Sequence, residues 1–183
     1  MAFVSLAERI DAFIKRMGDA VAWLTLGMVL VGVVVVVLRY VFSIGFTWLQ
    51  ELQTYMHSAV FLLGASYALR NNAHVRLDIV YAKLSHRRQA LIELGGTSLF
   101  IIPLCVLILY QSFDYVVNSW RMLEASQHMR GLPAVFILKT FIWLFALTLI
   151  LQSISHVIRN VRRLRESQAG QPDAKPQAGG KSL

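Results

Sequence analysis

Apolar residues in this chain gather into four long runs separated by short polar stretches. Residues 20–38, AVAWLTLGMVLVGVVVVVL, carry no charge and approach the roughly 20 residues that cross a hydrocarbon core about 30 Å thick. The valine-rich second half would suit a strand in water. In lipid the unpaired backbone of an open strand is prohibitive, so a helix is expected. The other runs cover about residues 47–69, 90–116 (with LFIIPLCVLILY) and 132–156. Pro103 removes a backbone hydrogen bond and is expected to kink the third span, whereas Pro133 suits a first helical turn. The reading is an all-α integral membrane protein with spans at 20–41, 47–69, 90–116 and 132–156, inside a membrane domain of residues 1–166.

Two further segments show helical periodicity without the length to span. Phe3, Leu6, Ile10, Phe13 and Met17 recur at spacings of three and four, with charges on the other face. This predicts an N-terminal amphipathic helix lying along the membrane surface. Between spans two and three, NNAHVRLDIVYAKLSHRR places Leu77, Val80, Tyr81 and Leu84 at helical spacing. A short interfacial helix is expected there, with Arg70, His74, Arg76, Asp78, Lys83, Arg87 and Arg88 at the lipid headgroups. Residues 167–183 are rich in Gly, Pro, Gln and Ala and are expected to form a disordered tail.

Composition supports the membrane class: 56% of residues are hydrophobic and 15% are charged, too few for the polar surface of a soluble domain. The net charge of +8 would fit a nucleic-acid partner if the basic residues formed a patch. They do not. Fourteen of the eighteen precede span one, separate spans two and three, or follow span four, leaving Arg39, Arg121, Arg130 and Lys139. The positive-inside rule then puts both termini and the middle loop in the cytoplasm, and no nucleic-acid role is needed. The mixed charges of the first eighteen residues, Glu8 and Asp11 among them, are unlike a cleavable signal peptide. The single Cys105 lies in an apolar run, which predicts a small buried side chain.

Candidate chemistry is sparse. Glu51, Glu93 and Asp114 lie in or beside the spans, but on this topology no two form an acid and base pair, so no catalytic residues are expected. No metal or cofactor is expected either. Haem would need two histidines at one depth on different helices; only His57 and His128 share a side, and His128 lies in an outer loop. A membrane anchor for a redox enzyme, binding haem or quinone, is therefore the alternative reading. Lys139 lies about 10 Å below the outer end of span four, where it either snorkels outward or pairs with Asp114.

The strongest constellation is TWLQELQTYMHSAVFLLGASYALR, residues 47–70. Trp48, Glu51, Tyr55 and Ser58 share one helical face, flanked by Gln50, Thr54 and His57, and Gly64, Ala65 and Ala68 form a small-residue strip. An aromatic belt with a hydrated glutamate explains Trp48. Burial against a second polypeptide better explains Glu51 and His57, because a protein supplies hydrogen bonds that lipid cannot. Trp48, Glu51, Tyr55, Ser58, Gly64 and Ala68 are thus the partner-interface candidates.

With the Trp48-x-x-Glu51 start, Tyr55, the LGASYALR end, the run His74 to Asp78 and the entry Gly131-Leu132-Pro133, the chain resembles the small, DctQ-like membrane subunit of tripartite ATP-independent periplasmic (TRAP) transporters. The resemblance covers about residues 20–160, and Gln50 stands where that family often has an acidic residue. It implies a noncatalytic subunit, in a bacterial inner membrane, of a secondary transporter for organic acids, with sodium as the expected coupling ion. A large multi-span partner would hold the substrate and ion sites, and a periplasmic binding protein would deliver the substrate. The small subunit would brace the stationary scaffold.

Overall fold

The computed structural model describes residues 2–71 and 86–169, all of its regular structure helical. Helix α1 spans Ala2–Tyr40 and α2 spans Thr47–Arg70. Helix α3, His86–Gly96, runs through a π-helical turn at Thr97–Ile101 into α4, Ile102–Arg121. Helix α5 spans Val135–Ala169. Three rods, Ser5–Tyr40, Leu91–Arg121 and Val135–Arg162, are long and apolar enough to cross a membrane. At 24 residues α2 is also long enough, but the polar groups in its first three turns lower its apolarity.

The ends of these rods follow from local chemistry. Ser43 adopts the left-handed conformation (φ 56°) after α1, and the Ile44 amide donates back to the Leu38 carbonyl at 2.9 Å. Arg39 in the last turn complements the negative end of the helix dipole. At Pro103 the ring would collide with the carbonyl four residues earlier. The π turn widens the ladder there, with the Ile102 amide donating to the Thr97 carbonyl. The expected kink thus takes the form of a register change.

Helix α5 is the central rod, packed against α1, α2, α3 and α4. Leu69, Cys105, Ala146 and Leu149 form a buried cluster joining α2, α4 and α5, so Cys105 is the small buried side chain the sequence suggested. Nearer the chain termini the buried face of α5 turns polar, with Gln152, Ser153, Ser155, His156 and Asn160 all enclosed. Asp11 of α1 meets this face, accepting from Ser155 Oγ (2.8 Å), Gln152 Nε2 (3.2 Å) and Arg159 Nη1 (2.7 Å). The start of α1 and the end of α5 therefore lie together at one end of the bundle.

Several expectations change. The N-terminal amphipathic segment does not turn into the membrane plane but continues into span one as a single 39-residue helix. Its packed face is Ala7, Ile14 and Gly18, with Asp11 between them, whereas Leu6 and Phe13 of the apolar stripe stay exposed. Helix α5 runs thirteen residues beyond the expected end of span four and begins two residues after Pro133. Of the tail expected to be disordered from residue 167, residues 167–169 instead close α5; the rest of it, and most of the expected interfacial helix, lie outside the described residues.

Small residues set the α1–α2 approach, and they lie on α1. A Cβ on Gly18 would sit 2.2 Å from the Tyr67 ring, and Cβ atoms on Gly27 and Gly32 would meet Met56 and Gln53 at 2.9 and 3.1 Å. A Gly18→Val substitution is therefore expected to destabilise the helical bundle by about 1–3 kcal/mol, read as a lowered melting temperature of the detergent-solubilised chain. Gly64→Ala, whose added methyl meets nothing within 4 Å, should leave it unchanged.

Candidate functional site

The Glu51 carboxylate lies in the first turns of α2, close to the connection between α4 and α5. It accepts hydrogen bonds from the Ser126 hydroxyl and, at 2.6 Å, from the Leu132 backbone amide. The connection is shaped for this. The Val135 amide donates to the Glu124 carbonyl (3.1 Å), the Ser126 amide to the Leu132 carbonyl (3.2 Å), and the Gly131 amide to the His128 carbonyl (3.0 Å). A Cβ on Gly131 would stand 2.3 Å from Ser126 Oγ and 2.7 Å from Glu51 Oε1. Only glycine leaves room for the carboxylate, and the motif Gly131-Leu132 meets Trp48-x-x-Glu51 in space.

A second charge-assisted contact holds the same loop. Lys139 Nζ bonds Glu124 Oε2 and lies 3.7 Å from the centroid of the Tyr115 ring. Asp114 is exposed, and of the two alternatives for Lys139 neither the pair with Asp114 nor simple snorkelling describes its contact, which is with Glu124, an acid that turns back from the loop. The Lys139 hydrogen bond, against a partial offset from burial, holds the Glu124 carboxyl below its ordinary value of 4.5. Around this contact, Trp120 Nε1 donates to Thr140 Oγ1 (2.8 Å) and packs edge-on to Phe136 (4.7 Å between centroids). Trp143 Nε1 donates to Ser112 Oγ (3.2 Å) and stacks on Phe113.

These contacts rotate the expected interface. Glu51 and Tyr55, assigned to a partner-facing surface, turn toward their own chain; Glu51 needs no second polypeptide for its hydrogen bonds, and the Tyr55 hydroxyl is buried. Ser58 satisfies its hydroxyl on the Thr54 carbonyl (2.9 Å), as Thr54 does on that of Gln50 (3.1 Å). Trp48 is 42% exposed beside Phe46. The exposed stripe is Gln50, Thr54, His57 and Phe61, continuing through the open side of Gly64 toward Ala68, with His57 stacked on Phe61 at 6.5 Å. Gln50, Thr54 and His57, expected at the flank of the face, form a face of their own with Phe61, and the 4-3-4 spacing of these four positions is the signal for it.

Of the headgroup candidates, Arg70 is half-buried and bonds Asn71 Oδ1 (3.2 Å), and Arg88 is exposed. His74, Arg76, Asp78 and Lys83 lie outside the described residues, as does the side chain of Arg87. At the opposite end of the bundle from Glu51, the Asn160 side chain meets His156 Nδ1 at 3.1 Å, while His156 Nε2 lies 3.7 Å from Glu93. Among the described residues no three His, Cys, Asp or Glu side chains group as a metal site. Nothing found favours the redox-anchor reading.

A helical bundle with three apolar membrane-crossing rods, its polar groups tied by a capped loop, defines a polytopic membrane component. The family described as "Tripartite ATP-independent periplasmic transporters, DctQ component" matches residues 28–163, and the chain belongs to it. It is a transporter component and not an enzyme. No curated protein and no solved structure matches the chain.

Two outcomes follow for the loop. Gly131→Ala forces Ser126 and Glu51 apart and is expected to lower the melting temperature of the detergent-solubilised chain; the same change at Gly45, which has open space around it, should not. Because the Glu124 carboxyl is lowered on folding, its contribution is present above pH 4.5 and is lost as the pH falls through the lowered value. A spin label at exposed Ala125 should gain mobility over that acid range, and in Glu124→Gln it should be mobile at every pH.

Proposed function

We propose that this chain is the noncatalytic small permease subunit of a sodium-coupled TRAP transporter for organic acids, and that it braces the stationary scaffold of the large membrane subunit. The observation that carries the reading is the outward stripe of α2. Among the described residues neither the Gln50 side-chain amide nor the His57 ring has an in-chain hydrogen bond, and both project from a helix packed between apolar rods. A polar group facing hydrocarbon without a partner is costly. A helix of the large subunit laid along Gln50, Thr54, His57, Phe61, Gly64 and Ala68 would satisfy the upper groups and pack closely against the lower, small ones.

On this reading α2 is the fourth span, made admissible by that partner. The distribution of basic residues supports a cytoplasmic α1 start and α5 end in a bacterial inner membrane, with the Glu51 loop on the periplasmic side, where the substrate-binding protein would arrive. A brace must not deform while its neighbour moves. The capped loop and the Asp11–Arg159 clamp at opposite ends of the bundle suit that task.

Cysteines at Gln50, His57 and Phe61 are expected to cross-link to the large subunit in membranes, whereas cysteines at Leu107 and Tyr110, exposed on α4, should not. Liposomes holding this chain alone should take up no organic acid, and uptake should appear on adding the large subunit, binding protein and a sodium gradient. Uptake by the chain alone, or cross-linking from α4 instead of α2, would overturn the proposal.

A further inference from the structure

A cleft of about 150 Å³ opens between the start of α1 and the end of α5, lined by Ala7, Glu8, Asp11, Ile158, Arg159 and Arg162. Two carboxylates and two guanidiniums give it no net charge. Asp11 and Arg159 form its fixed wall, joined at 2.7 Å, with Asp11 also held by Ser155 and Gln152. A guanidinium carries five N–H donors in a planar fork, so Arg159 retains donors beyond its bond to Asp11. Glu8 and Arg162 stand exposed at the rim, one an acceptor and the other a cation.

The depth of the cleft is fixed by α5. Arg159 follows Lys139 by twenty residues, about 30 Å along a helix, which is the thickness of the hydrocarbon core. The helix starts at Val135, about one turn before Lys139, which is tied back to the loop at that surface, so Arg159 lies about one turn beyond the far edge of the core. On α1 the long uncharged run begins after Asp19, which leaves Glu8 and Asp11 on the same side of the boundary.

We propose that this cleft binds the headgroup of a zwitterionic phospholipid bearing a primary ammonium, phosphatidylethanolamine. The phosphodiester would meet Arg159 and Arg162 by charge-assisted hydrogen bonds, the ammonium would donate to Glu8, and Ala7 and Ile158 would face the glycerol end. The balance of charge selects the ligand. An anionic headgroup such as phosphatidylglycerol offers Glu8 hydroxyl donors but no cation, and its net negative charge is repelled by that carboxylate, while a choline headgroup has no N–H to donate. The same phosphodiester and ammonium occur in soluble glycerophosphoethanolamine; the depth of the cleft assigns the site to the membrane lipid. The inference rests on the membrane-spanning reading alone and is independent of the transporter partners.

Native mass spectrometry of the full chain, delipidated and then offered equal amounts of phosphatidylethanolamine, phosphatidylglycerol and phosphatidylcholine, tests it. One phosphatidylethanolamine should be retained in preference to the others. Glu8→Gln and Arg162→Gln should each cut that preference by about tenfold, and Glu8→Gln should do so with the melting temperature in lipid-free detergent unchanged. Glu8→Lys makes the cleft cationic and should shift the preference to phosphatidylglycerol, a gain that misfolding cannot mimic. Equal retention of the three lipids, or a preference untouched by all three variants, overturns the proposal. Displacement of the lipid by glycerophosphoethanolamine at matched concentration overturns the assignment to a membrane ligand. Neither result bears on cross-linking to the large subunit, so the two proposals fail separately.

Discussion

The Glu51 carboxylate finds its hydrogen-bond donors within its own chain, and this bundle is arranged around that contact. The donors come from a loop some eighty residues further on, the amide of Leu132 and the hydroxyl of Ser126. Meeting them fixes the loop over α2, brings Gly131 to a place where neighbouring atoms exclude a side chain, and sets the entry of α5. Lys139 ties the other limb of the loop through Glu124. Two short motifs far apart in sequence are thus halves of one capping arrangement.

The other end is managed by the same rule with different groups. Helix α5 carries one stripe, Gln152, Ser155 and Arg159, toward Asp11 of α1, and a second, His156 and Asn160, toward Glu93 of α3. In a low-dielectric interior such contacts are strong when complete and costly when broken. Between the two polar ends the middle is apolar, held by Cys105, Ala146 and Leu149 and by glycines that let α1 approach α2. Polar contacts thus fix both ends, and packing fills the space between.

Much of this was legible in the sequence because lipid leaves few options. The runs at 20–38, 90–116 and 132–156 had to be helices, and the motifs around Glu51 and Gly131 pointed to the family that the chain belongs to. Orientation about the helix axis was less legible. Periodicity puts Trp48, Glu51 and Tyr55 on one face but does not say which way that face looks, and the structure turns Glu51 and Tyr55 inward. Depth along a helix offers Lys139 either a route outward or Asp114, and overlooks an acid, Glu124, returning from a loop. The continuity of α1 was missed because an amphipathic pattern beside an apolar one reads as a boundary. Here nothing interrupts the backbone, since Gly18 is filled by the Tyr67 ring rather than used as a hinge. The length of α5 was missed because its inner turns are polar and their partner, Asp11, lies at the far end of the chain.

The unbroken course of α1 has a mechanical corollary. A helix of 39 residues, about 58 Å long, without an internal break transmits displacement rather than absorbing it. Held near one end through Asp11 and threaded between neighbours by its glycines, it works as a lever with its fulcrum at the crossing with Tyr67. A load applied at one end of the bundle therefore reaches the other as a tilt, and the two ends feel one another's strain through a single element.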